Sequence, residues 1–143
     1  MITVFHYPHE LDLSGIPQRE EFNFIYNPEL EEVLPGVNTL ANQLLARCEG
    51  FEFTELHTSP WMTVTQGPVD GYGWHNEGIR PDDYSLVYAL NDSDGGLEIK
   101  DKLFEHKRGR AVVFESNMMH RVQRVESGTR FALAFLMHRR KNG

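Results

Sequence analysis

His75, Glu77, His120 and Arg130 are the side chains in this sequence whose types and order could do chemistry together. Two imidazoles and one carboxylate suit a divalent transition ion held on one face, with other positions open. Donor type alone does not choose among iron, manganese, cobalt, nickel and zinc. Residues two apart on an extended strand point to the same side. His75 and Glu77 can therefore reach one ion from a single strand end, with Asn76 turned away. His120 follows Ser116-Asn-Met-Met, begins a second strand, and must be brought in by the fold. Arg130 lies one strand further on. Its planar fork suits the far carboxylate of a small dicarboxylic acid.

An isolated His-x-Glu pair is common by chance, so the elements that position these residues decide its weight. Along 130–137 the side chains alternate. Arg130, Ala132, Ala134 and Leu136 share one face, and Phe131, Leu133, Phe135 and Met137 share the other. Two alanines beside an inward arginine leave room for a small anion, while the bulky face packs a core. Further strands are expected at Ile2–Phe5, 22–26, Trp61–Gln66, Tyr84–Leu90, Leu97–Ile99, near Leu103, Arg110–Phe114 and His120–Val125. Phe51 and Phe53 alternate with polar residues in the same way. Turn signals stand at Gly67-Pro68, Asp70-Gly71, Asn91–Gly96, Lys107–Gly109 and Ser127-Gly128. Many short strands separated by turns indicate an antiparallel sandwich or barrel.

Helices are fewer. Asn27-Pro28-Glu29 reads as a start signal: a side-chain cap, a proline without need of its N–H, then an acid. Val37, Leu40, Ala41, Leu44, Leu45 and Cys48 form one apolar stripe, and Gly50 sits where such a helix ends. This helix should cover the outer face of a sheet.

The chain has 143 residues and suits one domain, residues 1–143, with 1–58 as supporting strands and helix and 59–138 as the barrel core. A formal net charge of −7 argues against tight binding to nucleic acid, despite Arg139, Arg140 and Lys141 at the end. One cysteine, Cys48, excludes an intrachain disulfide and fits a reducing compartment. No signal peptide or membrane-spanning run is visible, so the expected location is cytoplasmic. His6, His9, His57, His106 and His138 lack partners at ligand spacing and read as structural or surface residues.

Several stretches, in order, resemble the iron(II)- and 2-oxoglutarate-dependent oxygenases, particularly the prolyl 4-hydroxylase-like branch. They are Gly71-Tyr-Gly-Trp-His75-Asn-Glu77, Ser85–Asn91, Gly95-Gly-Leu-Glu-Ile99, Gly109–Phe114, Ser116–Val125 and Gly128–Leu133. Together they cover roughly residues 60 to 138. The resemblance implies a double-stranded β-helix, or jelly roll of the cupin-like kind, mainly β with a supporting N-terminal helix. It implies Fe(II) bound by His75, Glu77 and His120, and 2-oxoglutarate held through its 5-carboxylate by Arg130. It further implies dioxygen as co-substrate, release of succinate and carbon dioxide, and ascorbate as a candidate reductant. The substrate class it implies is a peptidyl (prolyl) or free amino acid.

The chain departs from that pattern. Glu77 stands where the family usually has aspartate. A tyrosine that some relatives supply to the 5-carboxylate is replaced by Ala89, with Tyr88 on the opposite face. Tyr72 or Thr65 is the substitute donor we expect. Trp61, Tyr72, Trp74, Met118 and Met119 lie near the site in sequence and could form an aromatic and thioether rim, with Trp74 turned from the metal. Arg80 could meet an acidic group on a substrate. Two other readings remain open from sequence: a cupin-like module that binds metal or a small acid without turnover, and a nucleobase-directed oxygenase of the same chemistry.

Overall fold

Thr129–Arg139 form the longest strand, β10, and the larger sheet is assembled on it. The structure is a computed structural model that describes residues 2–17, 22–48, 53–56, 59–76 and 83–139. Gly50, Phe51, His57, Glu77, Arg80, Arg140 and Lys141, named above, lie outside them. The other strands are β1 (Thr3–His6), β2 (Phe22–Ile25), β3 (Phe53–Leu56), β4 (Trp61–Gln66), β5 (Asp83–Ala89), β6 (Ser93–Ile99), β7 (Lys102–His106), β8 (Arg110–Glu115) and β9 (His120–Val122). Seven of these strands form one antiparallel sheet in the order β1-β8-β5-β10-β4-β2, with β3 also on β10. β4 and β3 pair with successive parts of β10, and β5 lies along its other edge. β7, β6 and β9 make a second antiparallel sheet. The chain is thus mainly β, folded as a jelly roll, as expected from the sequence.

The alternation along β10 sets the two sides of the large sheet. Phe131, Leu133, Phe135 and Met137 join the main core with Leu86 and Tyr88 of β5 and Met62 and Val64 of β4. Two helices complete that core, α1 (Glu29–Val33) and α2 (Val37–Cys48). The apolar stripe of α2 is the buried one: Val37, Leu40, Ala41, Leu44 and Cys48. Burial among these groups pushes the Cys48 thiol up to about 12, so it stays protonated and unreactive. The Tyr88 hydroxyl donates to the Tyr7 carbonyl on this side, away from the other face. No helix among the described residues is long and apolar enough to cross a membrane.

Two local expectations are corrected. A helix does begin after Pro28, but Pro28 itself takes the cap position and no side chain caps it. The Asn27 amide instead donates to Asn38 Oδ1 at 3.0 Å, fastening the start of α2. Asn91–Gly96 is not wholly a turn, because β6 begins at Ser93. The pairing register shifts between Ser93 and Leu97, which lets polar, glycine-rich sequence enter a sheet as a bulge. Asp94 satisfies the N–H groups of Glu126 and Ser127 there, at 3.0 and 3.1 Å.

The histidines read as structural behave so where they are described. His9 bonds the Leu90 carbonyl at 2.7 Å, and His138 bonds Asp83 at 2.8 Å. His106 is buried against the Phe131 carbonyl at 3.0 Å. Burial, then the nearby Arg130 guanidinium, lowers its pKa well below the usual imidazole value. The native imidazole is therefore neutral, whereas the unfolded chain takes up a proton near pH 6.5. Stability from this residue is complete above pH 6.5 and is lost as pH falls below it, by about 1.4 kcal/mol per unit. Melting temperature should fall more shallowly from pH 7 to 5 in His106→Gln than in the parent. Identical slopes would contradict this.

Candidate active site

One cavity of about 900 Å³ lies between the sheets, and its lining includes His75, His120 and Arg130. The alanine-bearing face of β10 makes its floor, with Arg130, Ala132, Ala134 and Leu136 all on the lining. β9 and β6 supply the opposite wall through His120, Val122 and Leu97.

The two histidines are brought together by backbone pairing. His75 N–H donates to the His120 carbonyl at 3.0 Å, and His120 N–H returns the bond at 2.9 Å. Residues that exchange both bonds in an antiparallel pair stand directly opposite, with side chains on the same face. The ring centroids are 4.2 Å apart. Val122 N–H to Tyr72 O and the reciprocal Val69–Val125 bonds continue this pairing along the segment before His75. Gly71 permits the approach: a Cβ there would lie 2.1 Å from the Val122 carbonyl oxygen. Because His75 sits in a lone bridge rather than a ladder, strict alternation is not imposed after it. Asn76, expected to turn away, lines the cavity and donates to Met119 Sδ at 3.6 Å.

Each imidazole is also oriented by its own chain. His75 Nδ1 lies 2.7 Å from the Gly73 carbonyl, and His120 Nδ1 lies 2.9 Å from the Met118 carbonyl. A carbonyl only accepts, so Nδ1 carries the proton in each ring, and a neutral ring then keeps its lone pair on Nε2. This backbone bond at the far nitrogen is the usual way a metal-binding histidine is held. Phe114 packs edge-on to His120 at 4.8 Å, and Tyr72 to His75 at 4.5 Å. Among the described residues, no group of three metal-binding side chains is assembled. Glu77, the third donor expected from sequence, is not among those described.

Arg130 is 1% exposed. Its Nε donates to the Gly95 carbonyl at 2.8 Å, while Nη2 is buried with no hydrogen-bond partner among the described residues. Desolvation brings its pKa down to about 10, so it is still a cation at neutral pH. Thr65 stands directly across from it on β4, and the Thr65 Oγ1 is also buried without a partner among the described residues. Two orphaned polar groups at one cross-strand position are costly unless something pairs them. A carboxylate accepts from both, so this pair fits the anionic end of a small acid. Gly95 lets the guanidinium lie close, since a Cβ there would be 3.3 Å from Arg130 Cδ and 2.6 Å from Val125 Cγ2.

The other expected residues divide. Trp61 and Tyr72 line the cavity, whereas Trp74 is exposed outside it beneath the Arg121 guanidinium, 4.8 Å from the ring centre. Met118 packs against the smaller core cluster with Leu97 and Phe114, and Met119 is exposed. Phe24, Tyr26 and Thr63 line the cavity without having been singled out. Phe22, Phe24 and Tyr26 alternate along the expected 22–26 strand, a pattern that marks one aromatic face but not what that face meets.

A family model described as the 2OG-Fe(II) oxygenase superfamily matches residues 61–138. No curated protein matches the chain. Among solved structures, a 2OG-Fe(II) oxygenase-family oxidoreductase from Burkholderia pseudomallei is 20% identical with a TM-score of 0.58; the match covers 76% of this chain and 58% of that one. A viral collagen prolyl hydroxylase from Paramecium bursaria Chlorella virus-1 is 13% identical, with TM-score 0.60 and coverage of 88% and 82%. A Pseudomonas putida prolyl-4-hydroxylase is 24% identical, with TM-score 0.54 and coverage of 82% and 72%. At these identities the structural likeness is one of fold. The family model spans the run from the start of β4 to His138 in β10, including both paired histidines and the buried arginine, and the chain belongs to the 2OG-Fe(II) oxygenase superfamily.

Proposed function

We propose that the chain is an Fe(II)- and 2-oxoglutarate-dependent dioxygenase that hydroxylates a peptidyl (prolyl) or free amino-acid substrate, releasing succinate and carbon dioxide. The observation that carries this reading is the orphaned Nη2 of Arg130, on the floor of the cavity that also holds the two oriented imidazoles, with the orphaned Thr65 hydroxyl at the cross-strand position beside it. In this reading residues 1–143 form one oxygenase domain. His75 and His120 hold the iron through Nε2, and Glu77 supplies the carboxylate donor. When bound, the iron supplies the redox chemistry that couples dioxygen to oxidative decarboxylation of 2-oxoglutarate. Ascorbate would serve as auxiliary reductant, and a reducing, cytoplasmic setting would keep both iron and Cys48 reduced. The prolyl part of the reading draws on the prolyl hydroxylases among the structural neighbours.

The protein's own contribution is to bind and orient. Arg130 gives the 5-carboxylate a charged donor at Nη2, and Thr65 gives it a hydroxyl. Ala132 and Ala134 leave the space through which the acid reaches the imidazoles. Tyr72, the other hydroxyl expected near the carboxylate, stands at the His75 end of the cavity. Thr65 is therefore the second donor in this proposal.

The test is isosteric. Thr65→Val should weaken 2-oxoglutarate binding by about 10- to 100-fold, the usual worth of a hydrogen bond to a charged group. Unliganded stability should hold or rise, because an orphaned hydroxyl is removed. Calorimetric titration and thermal melting read both. Unchanged affinity would remove Thr65 from the site, and absence of 2-oxoglutarate binding in the parent would remove the oxygenase reading.

A further inference from the structure

We infer that Phe24 and Tyr26 on and beside β2, with Tyr72 across from them, form a platform that binds an uncharged ring of the substrate. The inference deepens the oxygenase reading and rests on it for what happens to the bound molecule. Pairing of β2 with β4 sets Phe24 opposite Thr63, and Thr63 in turn faces Ala132. A row of small side chains thus ends in a broad aromatic one. The Phe24 and Tyr26 rings are nearly parallel, 13° apart at 6.2 Å, and Tyr72 meets Phe24 edge-on at 6.1 Å. Tyr72 then meets His75 at 4.5 Å. The rings form a continuous path from solvent to the imidazole pair.

These rings are 41%, 59% and 41% exposed for Phe24, Tyr26 and Tyr72. A contiguous patch of large exposed rings is unusual on a soluble protein and marks a contact surface. All three line the same cavity as His75, so the contact is with a molecule entering that cavity. The remaining polar lining is Ser59, Thr63, Asn76 and Ser85, all uncharged. Among the described residues the lining holds no Asp, Glu or Lys, and its one guanidinium is buried beside Thr65. Aromatic faces and edges pair well with another ring and offer no counter-charge to a carboxylate. An uncharged ring fits, whether it is a residue inside a peptide or part of a free small molecule. Phe24 and Tyr26 lie outside the residues matched by the family model, so this selectivity would come from the N-terminal part of the chain.

The full chain can be titrated by saturation-transfer NMR with five probes: N-acetyl-L-prolinamide, cyclohexanol, N-acetylglycinamide, L-proline and choline. At least one ring amide or ring alcohol should bind about tenfold tighter than the acyclic, zwitterionic and cationic probes. The Phe24→Leu, Tyr26→Leu double variant keeps apolar bulk but loses both ring faces, and should lose about tenfold in ring binding. Affinity for 2-oxoglutarate, set at Arg130, is the internal control, and the melting temperature checks the fold. Binding of the prolinamide alone assigns the ring to a peptide, and binding of cyclohexanol assigns it to a free compound. Ring probes no tighter than N-acetylglycinamide, charged probes binding equally well, or an unchanged double variant would each overturn the inference. Failure of 2-oxoglutarate to bind the parent would sink the oxygenase reading alone, since the ring probes still decide the platform.

Discussion

Replacing Arg130 with glutamine is expected to weaken 2-oxoglutarate binding by about 100- to 4000-fold without unfolding the protein. Removing one partner of a buried ion pair costs about 3–5 kcal/mol, and each 1.4 kcal/mol is tenfold in affinity. Without ligand, however, Arg130 is a buried cation whose Nη2 has no hydrogen-bond partner among the described residues. Removing that charge offsets the loss of its bond to the Gly95 carbonyl. The two effects separate cleanly by measurement. Saturating the parent at 100 times its Kd should stabilise it by about 2.7 kcal/mol, and the same ligand concentration should leave Arg130→Gln almost unmoved. Arg130→Lys keeps the charge but not the fork and should fall between the two. A variant that melts far below the parent in the absence of ligand would mean Arg130 is a structural cation instead.

The second large effect is expected at the metal. His120→Ala removes a donor that is held from two sides, by the His75 bridge and by the Met118 carbonyl. Losing a merely orienting partner at a metal site typically costs about 10–100-fold, so losing the ligand itself should exceed about 1000-fold in metal affinity. His75→Ala should match it. The prediction is separable from misfolding, because alanine keeps the backbone bridge whose N–H and carbonyl do the pairing. Titration with Fe(II) under argon, alongside melting curves, reads both. Weak loss in either variant would mean that the imidazole pair is not the metal site.

Much of this arrangement was legible in the sequence because it rests on local alternation. The two faces of β10 follow from 130–137 alone, and the α2 stripe follows from its spacing. Ala89 and Tyr88 fell on the expected sides because β5 is a regular strand paired on both edges. What was not legible depends on pairing between distant segments. Nothing local says that 69–76 runs beside 120–125, which is what places His75 against His120. Phe24 and Tyr26 join the cavity only because β2 pairs with β4 in one register, and a shift of one residue would turn them away. Asn27 does not cap α1, because its side chain is engaged by Asn38, which another helix supplies. The orphaned state of Arg130 and Thr65 is likewise a fact of packing between strands, which no local pattern encodes.

Succinate formed from 2-oxoglutarate in air, with Fe(II) and ascorbate, tests the central claim most directly when the parent is set beside His120→Ala and Arg130→Gln. The account predicts iron-dependent succinate from the parent and about 1000-fold less from His120→Ala. It also predicts recovery of part of the Arg130→Gln activity at high 2-oxoglutarate, because that variant loses binding and not the metal. Equal succinate from the parent and His120→Ala would contradict it.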